Sequence, residues 1–379
     1  MDRDVALYVH WPFCLRKCPY CDFNSHLGDA VDRRRWRAAL LGELSYFAGQ
    51  TKGRRLTSIF FGGGTPSLME AETVARVIAA ARRHWPGPDD VEITLEANPT
   101  TAEAALFEEF RGAGVDRLSL GIQSFDDRAL RFLGRTHGGP EAVRAFALAA
   151  DIFPRSSFDL IYAYPGQTAA SWSDDLGRAA DLAAGHLSLY QLSVERGTEF
   201  AKQGVREADE GTAATLFELT QEHLASAGLT AYEISNHARP GQECRHNVTI
   251  WQGGDYVGVG PGAHGRLREG GRTDAWRQIP RPERWLDAVE RTGHGTADRA
   301  TLGDSERIEE LVMTGLRLTK GIEQQTFQSA AGRSLAEALD AGRLEPLIDG
   351  GFLVLDDEGL RATAAGLVRL NAVIAALMA

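Results

Sequence analysis

Cys14-Leu15-Arg16-Lys17-Cys18-Pro19-Tyr20-Cys21 is the stretch on which the reading of this chain turns. Its C-x3-C-x2-C spacing supplies three thiolates from one compact loop. Iron–sulfur clusters are held by thiolates, usually four. Three leave one iron open, and an open metal position lets a substrate bind directly. The same residues allow a zinc site completed by Cys244 or His26, and chance clustering is the plainest alternative. The chain has 4 cysteines in all. A disulfide framework would spread them along a secreted chain, whereas a tight group argues for metal or redox chemistry.

Around this loop, short apolar runs alternate with longer helical patterns. Residues 6–10, 58–61, 92–95, 117–121, 158–162 and 186–192 have the β-branched, aromatic and Leu content of buried parallel strands. Amphipathic segments at 35–47, 72–83, 101–112 and 140–151 fall between them. Six βα repeats predict a parallel α/β barrel, complete or open, with a doubly wound sheet as the other solution of the pattern. In a barrel the chemistry sits at the C-terminal strand ends. The unusual residues fall there: Cys14 after the first strand, Gly62-Gly63-Gly64-Thr65-Pro66 after the second, and Glu96-Ala97-Asn98-Pro99 after the third. Gln123-Ser124-Phe125 and Tyr164-Pro165-Gly166 follow the fourth and fifth.

The pattern divides the chain into a barrel over 1–240, a glycine-rich connecting segment over 241–295 and a small C-terminal domain over 296–379. In the last part, helices at 306–318 and 334–340, a hairpin at 352–355 and 360–363 and a closing helix predict a winged-helix-like unit. Such folds often bind DNA, but the net charge is −11. Phosphate binding needs clustered Lys and Arg, so an internal packing role is expected and nucleic acid is not an expected partner. Apolar content of 43% and charged content of 25% are those of a soluble globular protein. No apolar run reaches the roughly 18 residues of a membrane span. The charged start Met1-Asp2-Arg3-Asp4 is not that of a signal peptide. A cytoplasmic protein that is not integral to a membrane is the expectation.

The cysteine loop resembles that of the radical S-adenosylmethionine (SAM) superfamily, and the wider chain resembles one family within it. The strings Tyr8-Val9-His10-Trp11-Pro12-Phe13-Cys14, Cys21-Asp22-Phe23-Asn24-Ser25-His26, Gly121-Ile122-Gln123-Ser124-Phe125, Leu133-Gly134-Arg135-Thr136-His137, Asp159-Leu160-Ile161-Tyr162 and Gly258-Val259-Gly260 to Ala263-His264-Gly265 carry that likeness in order. The family contains oxygen-independent coproporphyrinogen III oxidases and their relatives, the heme chaperones of the HemW type. The resemblance implies a partial six-stranded radical SAM barrel with a [4Fe-4S] cluster on Cys14, Cys18 and Cys21. It further implies SAM contacts from Tyr8, Tyr20, Gly63, Gly64, Thr65, Glu96, Gln123, Arg135 and Asp159. Glycines let the backbone approach closely and offer N–H groups to a ligand, Arg135 suits a carboxylate, and the two acids suit hydroxyl or ammonium donors.

Within the family the oxidases carry a further cysteine two positions after the third ligand, where this chain has Phe23, and a longer segment before the loop. The chaperones carry His-Asn-x-x-Tyr-Trp, and here His246-Asn247-Val248-Thr249-Ile250-Trp251 departs from it at Ile250. The resemblance therefore favours a heme chaperone with heme and a heme-accepting protein as partners, over the oxidase or another tetrapyrrole-modifying radical enzyme. His246 is a candidate heme contact, since imidazole is a common axial ligand. Cys244 is a second, and His10 and His264 are further candidates. An electron donor is required if radical chemistry occurs, and a homodimer stays open.

Overall fold

The computed structural model describes residues 3–28 and 31–379. Six strands contain or overlap the apolar runs expected to form them: β1 (Asp4–Trp11), β2 (Arg55–Gly63), β3 (Glu92–Ala97), β4 (Arg117–Gln123), β5 (Arg155–Tyr162) and β6 (His186–Gln191). They pair side by side in chain order, all parallel. A doubly wound sheet would reverse its order midway. Unbroken order is the wall of a barrel, here open because β1 and β6 are each continued outward by other strands.

The crossovers are α1 (Arg33–Gln50), α2 (Ala71–His84), α3 (Phe107–Gly112), α4 (Gly139–Ile152) and α5 (Ala169–Leu182). Asp32 caps α1 by accepting the Arg35 N–H, and Thr168 and Ser171 form a capping box at α5. The helix expected over 101–112 is split, Thr101–Ala104 preceding α3. Glu103 breaks it. Its carboxylate accepts from the Asn98 backbone at 2.8 Å and from the Ser67 hydroxyl, tying that turn to the strand ends. Strand side chains such as Val9, Ile59, Ile93, Leu118 and Phe158 share one core with the helices.

The segment 241–295, expected as a connection, is part of the main sheet. After α6 (Glu210–Ser226), β7 (Asn236–Ala238) pairs antiparallel with β6. Beyond α7 (Arg245–Trp251), β8 (Tyr256–Val259) pairs parallel with β1. Then β9 (His264–Glu269), β10 (Arg272–Gln278) and, after α8 (Pro282–Thr292), β11 (Thr296–Thr301) extend that edge antiparallel, and with the two residues Thr230–Ala231 paired outside β7 the sheet has 12 strands. The glycines belong to this packing. A Cβ on Gly258 would meet the His264 carbonyl oxygen at 1.9 Å, and one on Gly260 the His10 carbonyl oxygen at 2.3 Å.

Residues from α9 (Asp304–Gly315) onward build a second core around Leu311, Phe327, Leu344, Leu360 and Val373. Its hairpin, β12 (Leu353–Leu355) and β13 (Gly359–Ala362), gains a third strand from Ile322–Glu323, and α10 (Leu370–Met378) closes the chain. Helices with a three-stranded antiparallel sheet are the winged-helix-like content expected here. Among the described residues no helix is long and apolar enough to cross a membrane.

Candidate functional site

β1 delivers the chain to the cysteine loop at its C-terminal end. Phe13 and Cys14 pair in parallel with His26 and Leu27, closing the loop at its base. Three side chains fix its far side. His10 donates from Nε2 to the Asn24 carbonyl at 3.0 Å while its Nδ1 faces the Tyr8 hydroxyl at 3.1 Å. Asn24 donates from Nδ2 to the carbonyls of Pro261 and Pro280, each at 2.9 Å, and its Oδ1 lies 3.0 Å from His26 Nε2.

All three loop thiols are half-buried. Thr65 donates to Cys14 Sγ at 3.3 Å, Arg135 donates to Cys18 Sγ at 3.4 Å, and Ser25 Oγ lies 3.6 Å from Cys21 Sγ. Hydrogen-bond donors aimed at sulfur suit thiolate ligands and tune a cluster held there. Of the two candidate fourth zinc ligands, His26 has its Nε2 engaged by Asn24 Oδ1 at 3.0 Å and Cys244 lies at the start of the helix Arg245–Trp251. Among the described residues no three His, Cys, Asp or Glu side chains converge to hold one metal ion. A four-iron cluster takes each thiolate on a different iron and spreads its ligands accordingly.

The thiols open onto a cavity of about 1130 Å³ that spans the C-terminal ends of β2 to β6. Of the expected SAM contacts, Tyr20, Gly63, Gly64, Thr65, Glu96, Gln123, Arg135 and Asp159 all line it. Tyr8 is not among the lining residues. Its hydroxyl is on His10, and its ring lies 6.3 Å from that of Phe60. The glycine turn is forced by close approach: Gly63 has φ +114° with the His10 ring where a Cβ would stand, and a Cβ on Gly64 would meet the Phe13 carbonyl oxygen at 2.7 Å. Its N–H groups, expected to be free for a ligand, are taken. Gly63 donates to Glu96 at 3.3 Å, Gly64 to the Trp11 carbonyl at 2.7 Å and Thr65 to the Phe13 carbonyl at 2.9 Å. The turn thus carries side chains toward the cavity and leaves ligand hydrogen bonding to them.

Two acids stand inside the barrel mouth. Burial and the neighbouring Asp159 carboxylate push Glu96 up to about 8, and burial raises Asp159 to about 6 against the pull of Ser188 and Arg117. Arg135 is held rigidly by Asn98 Oδ1 at 2.5 Å and the Gly121 carbonyl at 2.8 Å. Gln123, a non-glycine residue at φ +73°, is turned out of the β4 ladder where its register with β5 shifts. Asn98 and Asn24 are positioning residues that the sequence reading passed over. Asn98 stands in the quoted string after the third strand, and Asn24 in the one after the third cysteine.

His246 and Cys244 are not brought to this cavity. They begin α7, beside Ser58 and Glu92 at the N-terminal ends of β2 and β3. His246 is 2% exposed, with Nδ1 3.0 Å from Ser58 Oγ, and its backbone N–H donates to Glu92 at 3.1 Å. Cys244 is 0% exposed and donates to Glu92 at 3.5 Å. Glu92 also pairs with Arg155 at 2.5 Å. The motif residues therefore belong to a buried polar network that seats α7 against the barrel floor. His10 is enclosed beneath the cysteine loop, and His264 is exposed at the start of β9.

Comparison with known proteins accords with this arrangement. The Radical SAM superfamily pattern matches residues 8–179, and the HemN C-terminal domain matches 303–369. A relative from Bos taurus, radical S-adenosyl methionine domain-containing protein 1, mitochondrial, is 41% identical over 99% of this chain and 87% of its own. The heme chaperone HemW of Escherichia coli is 35% identical over 99% of this chain and 98% of its own. The chain belongs to the HemW-type family of radical SAM proteins. For this family the C-x3-C-x2-C loop implies a [4Fe-4S] cluster and SAM. The fold is also that of coproporphyrinogen III oxidase HemN from Escherichia coli, with a TM-score of 0.83 and 22% identity over 99% of this chain and 90% of that one.

Proposed function

We propose that this HemW-type protein is a heme chaperone, which binds heme and transfers it to an acceptor protein. The observation that carries the reading is Phe23, a ring 61% exposed at the cavity rim where the family's oxidases place a further cysteine. Close likeness over nearly the whole length of a relative named as a heme chaperone supports it.

Cys14, Cys18 and Cys21 would hold the cluster. When bound, it supplies an iron open to the amino and carboxylate groups of SAM and an electron for cleavage of its sulfonium. The chain's own side chains do the rest. Arg135 and Thr65 donate toward the thiolates, Glu96 and Asp159 accept from hydroxyl or ammonium groups, and Gln123 and Tyr20 flank the ligand. An electron donor enters only if SAM is cleaved.

Anaerobic reconstitution is expected to give brown protein with about four irons per chain, and Cys18→Ala to abolish it. Heme titration is expected to shift the Soret band. No heme binding together with anaerobic turnover of coproporphyrinogen III would replace this reading with that of an oxidase.

A further inference from the structure

Three large apolar side chains are left in solvent around the cysteine loop: Leu15 at 68%, Phe23 at 61% and Leu27 at 68% exposure. Leu15 and Phe23 line the main cavity, and Leu27 is paired beside Cys14 at the base of the loop. Apolar side chains grouped in this way at a cavity rim mark a binding surface more often than scattered ones do.

Cations adjoin them. Arg16, Lys17 and Arg33 are exposed and line the same end of the cavity, in a chain whose net charge is −11. Nearby carboxylates are largely answered. Arg33 reaches Glu70 at 3.4 Å, and Arg37 holds Glu70 at 2.6 Å and Glu72 at 2.7 Å, leaving Asp22 as the exposed acid of the loop. The cavity, at about 1130 Å³, exceeds the roughly 300–1,000 Å³ usual for one small-molecule ligand. It has room for a ligand at the strand ends and for part of a second at the rim.

We propose that this rim is the heme-docking surface, with the porphyrin plane on Leu15, Phe23 and Leu27 and its two propionates toward Arg16, Lys17 and Arg33. An apolar macrocycle with two anionic propionates matches an apolar rim edged by three cations. The alternative positions, His246 and Cys244, are sealed at 2% and 0% exposure. The proposal rests on the chaperone reading and gives that reading a place on the chain.

The test uses the cluster-reconstituted full chain and two substitutions outside the Cys14–Cys21 loop, Leu27→Asp and Arg33→Glu. Each is expected to weaken heme binding by about tenfold or more while iron content and SAM binding stay at the wild-type level. Arg33→Glu should spare the binding of heme dimethyl ester, which lacks the propionate charges, whereas Leu27→Asp should weaken both. If either variant loses iron, Leu27→Ser and Arg33→Gln are judged by the same readouts. Wild-type heme affinity in both variants would overturn the docking surface. So would unchanged heme affinity with slower cluster reduction by an acidic flavoprotein, which would make the rim a protein-docking face. A wild-type chain that takes no heme at all would remove the chaperone reading itself.

Discussion

Glu96 and Asp159 are two carboxyl groups that face each other across a barrel mouth, with Arg117 behind them and Arg135 and Tyr190 to the side. Both are raised above the ordinary carboxylate range, chiefly by burial. Groups raised in the folded state stabilise it below their unfolded values and lose that contribution as pH rises through the folded ones. The ligand-free protein should therefore lose stability as pH rises from the ordinary carboxylate range, with the Asp159 share gone by about 6 and the Glu96 share by about 8. Glu96→Gln should flatten the upper part of that fall in denaturation midpoints measured across pH. SAM binding should show the opposite slope, because ionised acids accept hydroxyl and ammonium donors better. Glu96 was legible in the sequence through its place after the third strand, and Asp159 through the family resemblance of its string. The positions of His246 and Cys244 were not, since a motif gives residue types without saying which pole of the barrel they occupy.

At the scale of elements, the glycine-rich segment concealed strands because glycine replaces the β-branched and aromatic residues by which strands are recognised. Gly258 and Gly260 are small because β8 and the following turn run against His264 and His10. Beside the ladder of β8 on β1, Glu43 of α1, which is 0% exposed, binds this segment to the barrel. It accepts from the Gly260 N–H at 2.8 Å, the Gly295 N–H at 2.7 Å and the Trp285 indole at 3.0 Å. Burial pushes its carboxyl up to about 7 while these donors pull it down. Glu43→Ala would leave three buried donors unpaired, at about 1–3 kcal/mol each. A loss of roughly 3 kcal/mol or more is expected in urea denaturation, with Glu43→Gln losing less because its amide oxygen still accepts. Asn24 hangs from Pro261 and Pro280 of the same region, so iron retention should fall in parallel with stability.

At the scale of the molecule, two apolar cores meet through charged side chains. Arg266 pairs with Glu310 at 2.6 Å, Arg307 donates to the Gly253 carbonyl at 2.7 Å, and Arg317 reaches Glu233 at 3.2 Å. In the last of these the Glu233 side chain is 0% exposed and Arg317 is 32% exposed, and the other donors to Glu233 are the Ser235 N–H at 2.8 Å and Asn236 Nδ2 at 2.5 Å. Arg317 also lies over the Trp251 ring at 4.5 Å, so one side chain joins the C-terminal unit to both Glu233, ahead of β7, and α7. Removing one member of a fully buried pair costs about 3–5 kcal/mol because the remaining charge stays desolvated, and the exposure of Arg317 with the two other donors to Glu233 makes the loss here smaller. Arg317→Met should therefore loosen the seam between the cores while leaving each intact. The expected result is a thermal scan in which residues 303–379 melt earlier and apart from the barrel, with iron content unchanged because the cysteine loop lies at the other pole. A single unshifted transition would mean that apolar contacts, such as Ile234 against the second core, carry the seam without it.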